Sequence, residues 1–321
     1  MAKIKIVFLD AGTVDWKDQD FSPLKKLGKF KTHHSTSSEQ AAIRCSGFTH
    51  VITNKVVFDK DVLSRLRGVS AVHVAATGVN NIDLGAARKF GIAVTHVRGY
   101  STESVVQITF TSLLALASRL PEYEKAVRRG DWSRQRFFSL TSLPFFELAG
   151  KTIGIIGYGV IGKRVAEVAE ALGMKVMVTR LPGRVYTGNS GQGRFLLQQT
   201  LKKADVLTIH APLSDLTRNL IGSKELALMK KSAFLLNMAR GGIVVEEALA
   251  AALRRGKLAG AASDVATQEP PPRGHVLYNL PRFILTPHIA WASVEARTRL
   301  VDEIAKNIES FETGRKRNRL T

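Results

Sequence analysis

One cysteine, Cys45, stands in 321 residues. No disulfide can close within the chain, which fits a reducing, cytoplasmic setting. Long apolar runs are missing too. No uncharged stretch exceeds fifteen residues, and the most apolar of that length, 104–118, includes Ser, Thr and Gln. A membrane-spanning helix needs about 20 apolar residues, so no span is expected. The opening MAKIKIVFLD enters a strand-like alternation at once and carries Asp10; it has neither the apolar core nor the cleavage site of a signal peptide. Internal repeats and low-complexity tracts are absent, and no metal site is expected. Acids are the last shortage: 27 Asp and Glu face 47 Lys and Arg, a net charge of +20.

What remains is ordinary for a globular protein, 45% hydrophobic and 23% charged, which excludes a disordered chain, a collagen-like chain and a disulfide scaffold. The length suits about two domains of roughly 150 residues each. The charge permits nucleic acid, acidic surfaces or small anions as partners. The basic residues are scattered, however, and dense only at 25–31 and in the tail Arg315, Lys316, Arg317, Arg319. A solvated basic surface with an anionic ligand site is expected, rather than nucleic-acid binding.

Short apolar runs at 4–9, 50–53, 71–76 and 93–97 read as buried strands, with amphipathic helices at 38–44 and 60–66 between them. A longer helix is expected over 102–120, ended by Pro121, then a polar and aromatic excursion over 128–144. A second alternation follows, with strands at 152–156, 175–179, 205–210, 233–237, 259–264 and 283–286. Its helices are expected at 161–172, 224–229, 245–255 and 294–311. Strand and helix in alternation imply parallel sheets covered on both faces, hence two doubly wound α/β units.

Gly157, Gly159 and Gly162 make a G-x-G-x-x-G between an apolar strand and an amphipathic helix. In that context the first glycine allows the tight turn, the second lets backbone approach a pyrophosphate, and the third lets helix pack on strand. The helix N-terminus then offers free N–H groups to phosphates. A glycine-rich turn without a ligand is the plain alternative. NAD-binding folds carry an acid at the end of the second strand for the ribose 2′-hydroxyl. Here the strand ends in Thr179-Arg180, with Arg184 close by and no acid. A guanidinium grips a 2′-phosphate that a carboxylate would repel, so NADP(H) is preferred and NAD(H) remains possible. Otherwise Arg180 and Arg184 are solvent charges in a basic chain.

Three further segments fall at strand ends, where open α/β sheets place ligands: Arg240 before Gly241-Gly242, Asp264 leading to Glu269-Pro270, and His288 after Pro287. Each alone is ordinary loop chemistry. Together, downstream of a dinucleotide loop, they point to catalysis.

With these residues the chain resembles the D-isomer-specific 2-hydroxyacid dehydrogenases, from Val74 to Ser293 at least. The likeness includes Ala75 to Leu84 (AATGVNNIDL), Gly99-Tyr100-Ser101-Thr102, Glu147 to Lys151 (ELAGK) and His210-Ala211-Pro212-Leu213. The segments ATGVNNIDL, GDWS and PHIAWAS are most similar to its glycerate dehydrogenase (hydroxypyruvate reductase) branch. The resemblance implies a Rossmann cofactor domain, 99–288, inserted into a flavodoxin-like substrate domain made of 1–98 and 289–321. It implies that Arg240 holds the substrate carboxylate and carbonyl, that His288 is the general acid in reduction, and that Glu269 fixes its tautomer and raises its proton affinity. It further implies cofactor contacts from Gly157, Tyr158, Gly159, Val160, Ile161, Gly162, Thr179, Arg180, Arg184, His210, Ala211, Pro212, Thr217, Met238, Ala239, Arg240 and Asp264. Substrate contacts fall to Ala76, Thr77, Gly78, Tyr100, Arg240 and His288. The site would be a cleft between the domains, and a homodimer would form through 102–146. At Arg98 relatives usually have proline, so Arg98 either favours a more anionic substrate or is a surface charge. The implied activity is NAD(P)H-dependent reduction of small 2-oxo acids, hydroxypyruvate or glyoxylate first. The rival reading is a non-catalytic, dinucleotide-sensing binding protein on the same fold.

Overall fold

The computed structural model describes residues 4–187 and 191–321. Contacts divide the chain into two units, one running to Ser101 and resuming at Trp291–Thr321, the other Thr102–Ala290. The family resemblance implied these boundaries at 98/99 and 288/289.

The first unit is built on a five-stranded parallel sheet of β1 (Lys5–Phe8), β2 (Lys29–Thr32), β3 (His50–Thr53), β4 (Ala71–Val74) and β5 (Ala93–Thr95), in the order β2-β1-β3-β4-β5. That is the flavodoxin-like order. Ile6, Val7, Phe8, Val51, Ile52, Val72 and Val74 are all buried, as the inner strands of a sheet covered on both sides must be. The edge strand β2, with its exposed Lys29 and Lys31, escaped the sequence reading because it lacks that apolar run. The helices are α1 (Ser22–Leu27), α2 (Ser38–Cys45), α3 (Lys60–Arg65) and α4 (Leu84–Lys89). Asp59 and Asp83 cap α3 and α4 by accepting the N–H groups of Val62 and Ala86.

In the second unit the chain forms α5 (Thr102–Ala117) and α6 (Leu120–Arg128), then β6 (Thr152–Ile156), α7 (Val160–Ala171), β7 (Lys175–Thr179), α8 (Leu197–Lys203) and β8 (Val206–Ile209). It continues through α9 (Ser223–Leu228), β9 (Phe234–Asn237), α10 (Glu246–Arg254), β10 (Gly260–Ser263) and β11 (Phe283–Leu285). The single helix expected over 102–120 is two. Arg119 turns left-handed and Pro121 sits in the first turn of α6, where its missing N–H is harmless. The proline therefore starts a helix instead of only stopping one. The sheet order is β11-β10-β9-β8-β6-β7, all parallel. Outside β7, Phe195 makes one parallel bridge to Thr179. Strand order therefore reverses between β6 and β8, the crevice where such sheets bind ligands. One face is sealed by α5 and α7 through Phe110, Leu113 and Val165 on Ile153, Ile155 and Phe234.

The last helix, α11 (Val294–Glu312), returns to the first unit and lays Leu300, Val301, Ile304 and Ile308 on Ile6, Phe8 and Ile52. Arg297, 1% exposed, is the side chain the sequence did not foretell there. Its guanidinium takes both oxygens of Asp18 (2.5 and 2.7 Å) and the carbonyls of Ala292 and Val14, and stacks 4.2 Å over Trp16. A buried cation so fully partnered is not an uncompensated charge. The basic tail covers the open edge of β5: Arg319 bridges Thr95, and Leu320 N–H donates to Val94 O. Among the described residues no helix is long and apolar enough to cross a membrane.

Candidate active site

The loops after β6 and β8 meet at the strand reversal. Gly157 has φ +94°, and a Cβ there would lie 2.4 Å from Ala211 N and 2.5 Å from His210 C. A Cβ on Gly162 would lie 2.0 Å from Gly157 O. Only glycine fits either position. Gly159, the N-cap of α7, differs: its Cβ would meet nothing within 4 Å. The space before that helix end is open, no acid occupies its first turn, and the N–H groups there favour an anion. Tyr158 and Ile161 are partly buried and Val160 is exposed beside it. These residues fit the pyrophosphate of a dinucleotide.

At the end of β7 three cations gather on one ring. The guanidinium carbons of Arg180, Arg184 and Arg194 lie 5.2, 5.6 and 5.2 Å from the centre of Tyr186. Tyr186 Oη accepts the Leu181 N–H at 2.8 Å. Arg180 and Arg184 form no ion pair with an acid among the described residues. Arg194 also stacks on Tyr158, 5.6 Å away, linking this cluster to the glycine loop. It was invisible in the sequence because it arrives by strand pairing: Arg180 N–H donates to Phe195 O. A cavity of about 870 Å³ opens beside Arg180, Arg184, Leu197 and Lys224. Thr179 is turned inward instead, its hydroxyl donating to Thr200 at 3.1 Å.

After β8, His210 Nε2 lies 2.9 Å from the Thr208 hydroxyl. Its Nδ1 is shut off from solvent without a partner among the described residues. Burial drives this imidazole down to about 3, so it is neutral. Ala211 backs Gly157. The Thr217 hydroxyl donates to Pro212 O at 2.7 Å and receives the Ser214 N–H, so it shapes the turn rather than facing the groove.

The ends of β9 and β10 are joined, Asp264 N–H donating to Asn237 O. Asn237 receives the Ala239 N–H and donates to Arg240 O at 2.9 Å, so Met238 and Ala239 form a tight bend beneath Arg240. Arg240 is held at Nη1 by Ala239 O and forms no ion pair among the described residues. Asp264 is buried, which raises its carboxyl above the usual range. Its oxygens accept the Thr286 hydroxyl (2.6 Å) and the Ile289 and Ala290 N–H groups (2.9 Å each). Asp264 thus holds the loop that carries His288.

His288 sits in that loop at φ +54°, its N–H on Asp264 O at 2.8 Å. Its Nδ1 lies 2.6 Å from Glu269 Oε2, and Glu269 Oε1 accepts the Ala266 N–H at 3.0 Å. A carboxylate only accepts, so Nδ1 carries the proton toward Glu269. Nε2 makes no hydrogen bond among the described residues and stands ready for another group. The structure brings Glu269 and His288 together and sets Arg240 past the end of β9, beside β10 and one strand removed from β11.

In the first unit the loop after β4 is tied to the loop after β5. Thr77 Oγ1 donates to Val97 O (2.8 Å), Val97 N–H to Ala76 O (3.0 Å), and His96 Nδ1 to Thr77 O (2.8 Å). Arg98 Nε donates to His96 Nε2. The N–H groups of Ala76, Thr77 and Gly78 donate to nothing among the described residues, a row suited to an anion. Tyr100 lies in the apolar cluster under α11.

Comparison with known proteins identifies the family. Residues 110–290 match the family described as "D-isomer specific 2-hydroxyacid dehydrogenase, NAD binding domain". A glycerate dehydrogenase of Methylorubrum extorquens is 39% identical over 98% of this chain and 98% of its own length. A glyoxylate reductase of Aeropyrum pernix is 40% identical over 83% of this chain and 79% of its own. The solved structure of an acyclic imino acid reductase, Bsp5, in complex with NADPH and D-Arg superposes with TM-score 0.84 at 26% identity, covering 99% of this chain and all of that one. With its doubly wound units, its glycine loop and similarity over nearly its whole length, the chain belongs to the D-isomer-specific 2-hydroxyacid dehydrogenases, oxidoreductases that use a nicotinamide cofactor.

Proposed function

We propose that this protein reduces hydroxypyruvate, and less readily glyoxylate, to the D-2-hydroxy acid, using NADPH in preference to NADH. The observation that carries the reading is the 2.6 Å contact between His288 Nδ1 and Glu269 Oε2, with Nε2 left open. The names of the glycerate dehydrogenase and glyoxylate reductase relatives support the substrate class.

When bound, the nicotinamide supplies a hydride to the carbonyl carbon. The residues of the chain do the rest. The Arg240 fork holds a carboxylate oxygen and the carbonyl oxygen, drawing charge toward the latter. His288, as the imidazolium with a proton on each nitrogen, gives its Nε2 proton to that oxygen as it becomes a hydroxyl, and keeps its Nδ1 proton in the hydrogen bond to Glu269. Gly159 and the start of α7 receive the pyrophosphate, and Arg180, Arg184 and Arg194 receive the 2′-phosphate. Three guanidinium groups around one ring repel each other, and a dianion there relieves that repulsion.

Exposed Trp132, Phe137, Phe138 and Phe145 between α6 and β6 support a homodimer through 102–146. The lone cysteine, buried and pushed up to about 12, suits a cytoplasmic enzyme. The intact His288–Glu269 pair favours a reductase over a sensing protein.

The test is an absorbance screen of NADPH and NADH, each with hydroxypyruvate, glyoxylate, pyruvate and 2-oxoisocaproate. The expected result is fastest NADPH oxidation with hydroxypyruvate. Turnover of none of the four overturns the reading.

A further inference from the structure

The loop that supports Glu269 is itself braced by a second acid. Glu246, at the start of α10, is 8% exposed. Its Oε1 accepts the Thr267 N–H at 2.7 Å, and its Oε2 lies 3.3 Å from His275 Nε2. Leu277 N–H donates to His275 Nδ1, which leaves Nε2 as the ring nitrogen that faces Glu246.

Two carboxylates therefore sit on consecutive N–H groups of one loop, Glu269 on Ala266 and Glu246 on Thr267. The peptide plane between these residues is gripped on its other side as well. A Cβ on Gly241 would lie 2.0 Å from Ala266 O and 2.4 Å from Thr267 N, so the residue after Arg240 rests against this plane. A peptide unit is planar. Once Thr267 N–H is held by Glu246 and Ala266 O is packed on Gly241, the unit cannot rotate. Only the φ and ψ of Ala266 separate this plane from the neighbouring Ala266 N–H, so fixing it narrows the direction in which that N–H meets the Glu269 carboxylate.

We propose that Glu246 is a positioning residue: by locking the Ala266–Thr267 peptide it aims Glu269 at His288 Nδ1 and keeps Glu269, His288 and the Arg240 segment in register. This rests on the reading of His288 as proton donor. Glu246 touches neither substrate nor cofactor in this scheme and acts only through Glu269.

The test separates reach from charge. Glu246→Gln keeps an oxygen at the distance Thr267 N–H needs, whereas Glu246→Asp keeps the charge and loses the reach. The first readout is the downfield proton NMR signal of His288 Nδ1–H in the full-length protein, assigned by its loss in His288→Asn. Glu246→Asp and Glu246→Ala are expected to move or broaden that signal, and Glu246→Gln to preserve it. The second readout is kinetic. In Glu246→Asp, kcat for hydroxypyruvate is expected to fall about tenfold with KM within about threefold, and Glu246→Gln to stay within about threefold of wild type. In a Glu269→Gln background the Glu246→Asp effect is expected to shrink below about twofold, as for residues acting in series. A wild-type signal in Glu246→Asp, a loss in Glu246→Gln with retention in Glu246→Asp, or equal losses in both backgrounds would each overturn the proposal. A wild type that turns over no 2-oxo acid would instead overturn the functional reading, while the NMR signal still reports on Glu246.

Discussion

His288 is held at both ends, its backbone N–H on Asp264 O at 2.8 Å and its Nδ1 on Glu269 Oε2 at 2.6 Å. The two grips leave the ring little freedom, and Nε2 makes no hydrogen bond among the described residues. A proton donor so fixed loses little orientation entropy when a carbonyl oxygen arrives.

The glycine loop yields two variants with opposite phenotypes. Gly159→Ala adds a Cβ in open space at an allowed backbone conformation. Its stability is expected to be unchanged or higher by up to about 1 kcal/mol, while NADPH affinity falls at least about tenfold as the pyrophosphate loses its space. Gly162→Ala forces a Cβ toward Gly157 O and is expected to lose about 1–3 kcal/mol of stability. Thermal unfolding and NADPH fluorescence titration check both.

Removing cations from the Tyr186 cluster separates the two nicotinamide cofactors. Arg180→Ala with Arg184→Ala is expected to raise the KM for NADPH about 30-fold or more, and to leave that for NADH within about threefold, because each charged hydrogen bond to phosphate contributes about 1.5–3 kcal/mol. Equal effects on both cofactors would show that these arginines do not read the 2′-phosphate.

Stability should decline on mild acidification. Burial lowers the proton affinity of His50, His73 and His210, the last to about 3. Unfolding lets each take up a proton once pH drops below about 6.5. Their contribution is complete above that pH and is lost progressively below it, at up to about 1.4 kcal/mol per pH unit for each histidine. Asp10 and Asp264, raised by burial, act in the opposite sense nearer the acid end. Urea unfolding at pH 7.5, 6.5 and 5.5 checks the slope, and His73→Asn is expected to flatten it by about one proton.

The exposed aromatic segment gives an oligomer prediction. Phe137 and Phe138 are 73% and 91% exposed, an arrangement typical of an interface core. The wild type is expected to sediment as a dimer, and the Phe137→Ser, Phe138→Ser double variant as a folded monomer. A monomeric wild type would contradict the prediction.

Much of this was legible in the sequence for local reasons. A glycine loop between a strand and a helix can be read because each glycine answers a steric demand within a few residues. Arg240, Glu269 and His288 could be read because each follows a strand. The side a strand-end residue faces was harder. Thr179 and Arg180 are adjacent and alternate, so Arg180 reaches the Tyr186 cluster while the Thr179 hydroxyl goes into the core. Arg194 and Arg297 were hidden because their partners, Tyr186 and Asp18, are brought near by folding rather than spacing. The edge strand β2 has no apolar run, and its pairing with β1 alone defines it.

The most direct test of the mechanism is kcat/KM for hydroxypyruvate with NADPH in wild type and His288→Asn. Asparagine tolerates the left-handed backbone that His288 adopts, so folding and NADPH affinity are expected to be unchanged. A fall of about a hundredfold to ten-thousandfold is the predicted result. A variant within about threefold of wild type would contradict the assignment of proton delivery to His288.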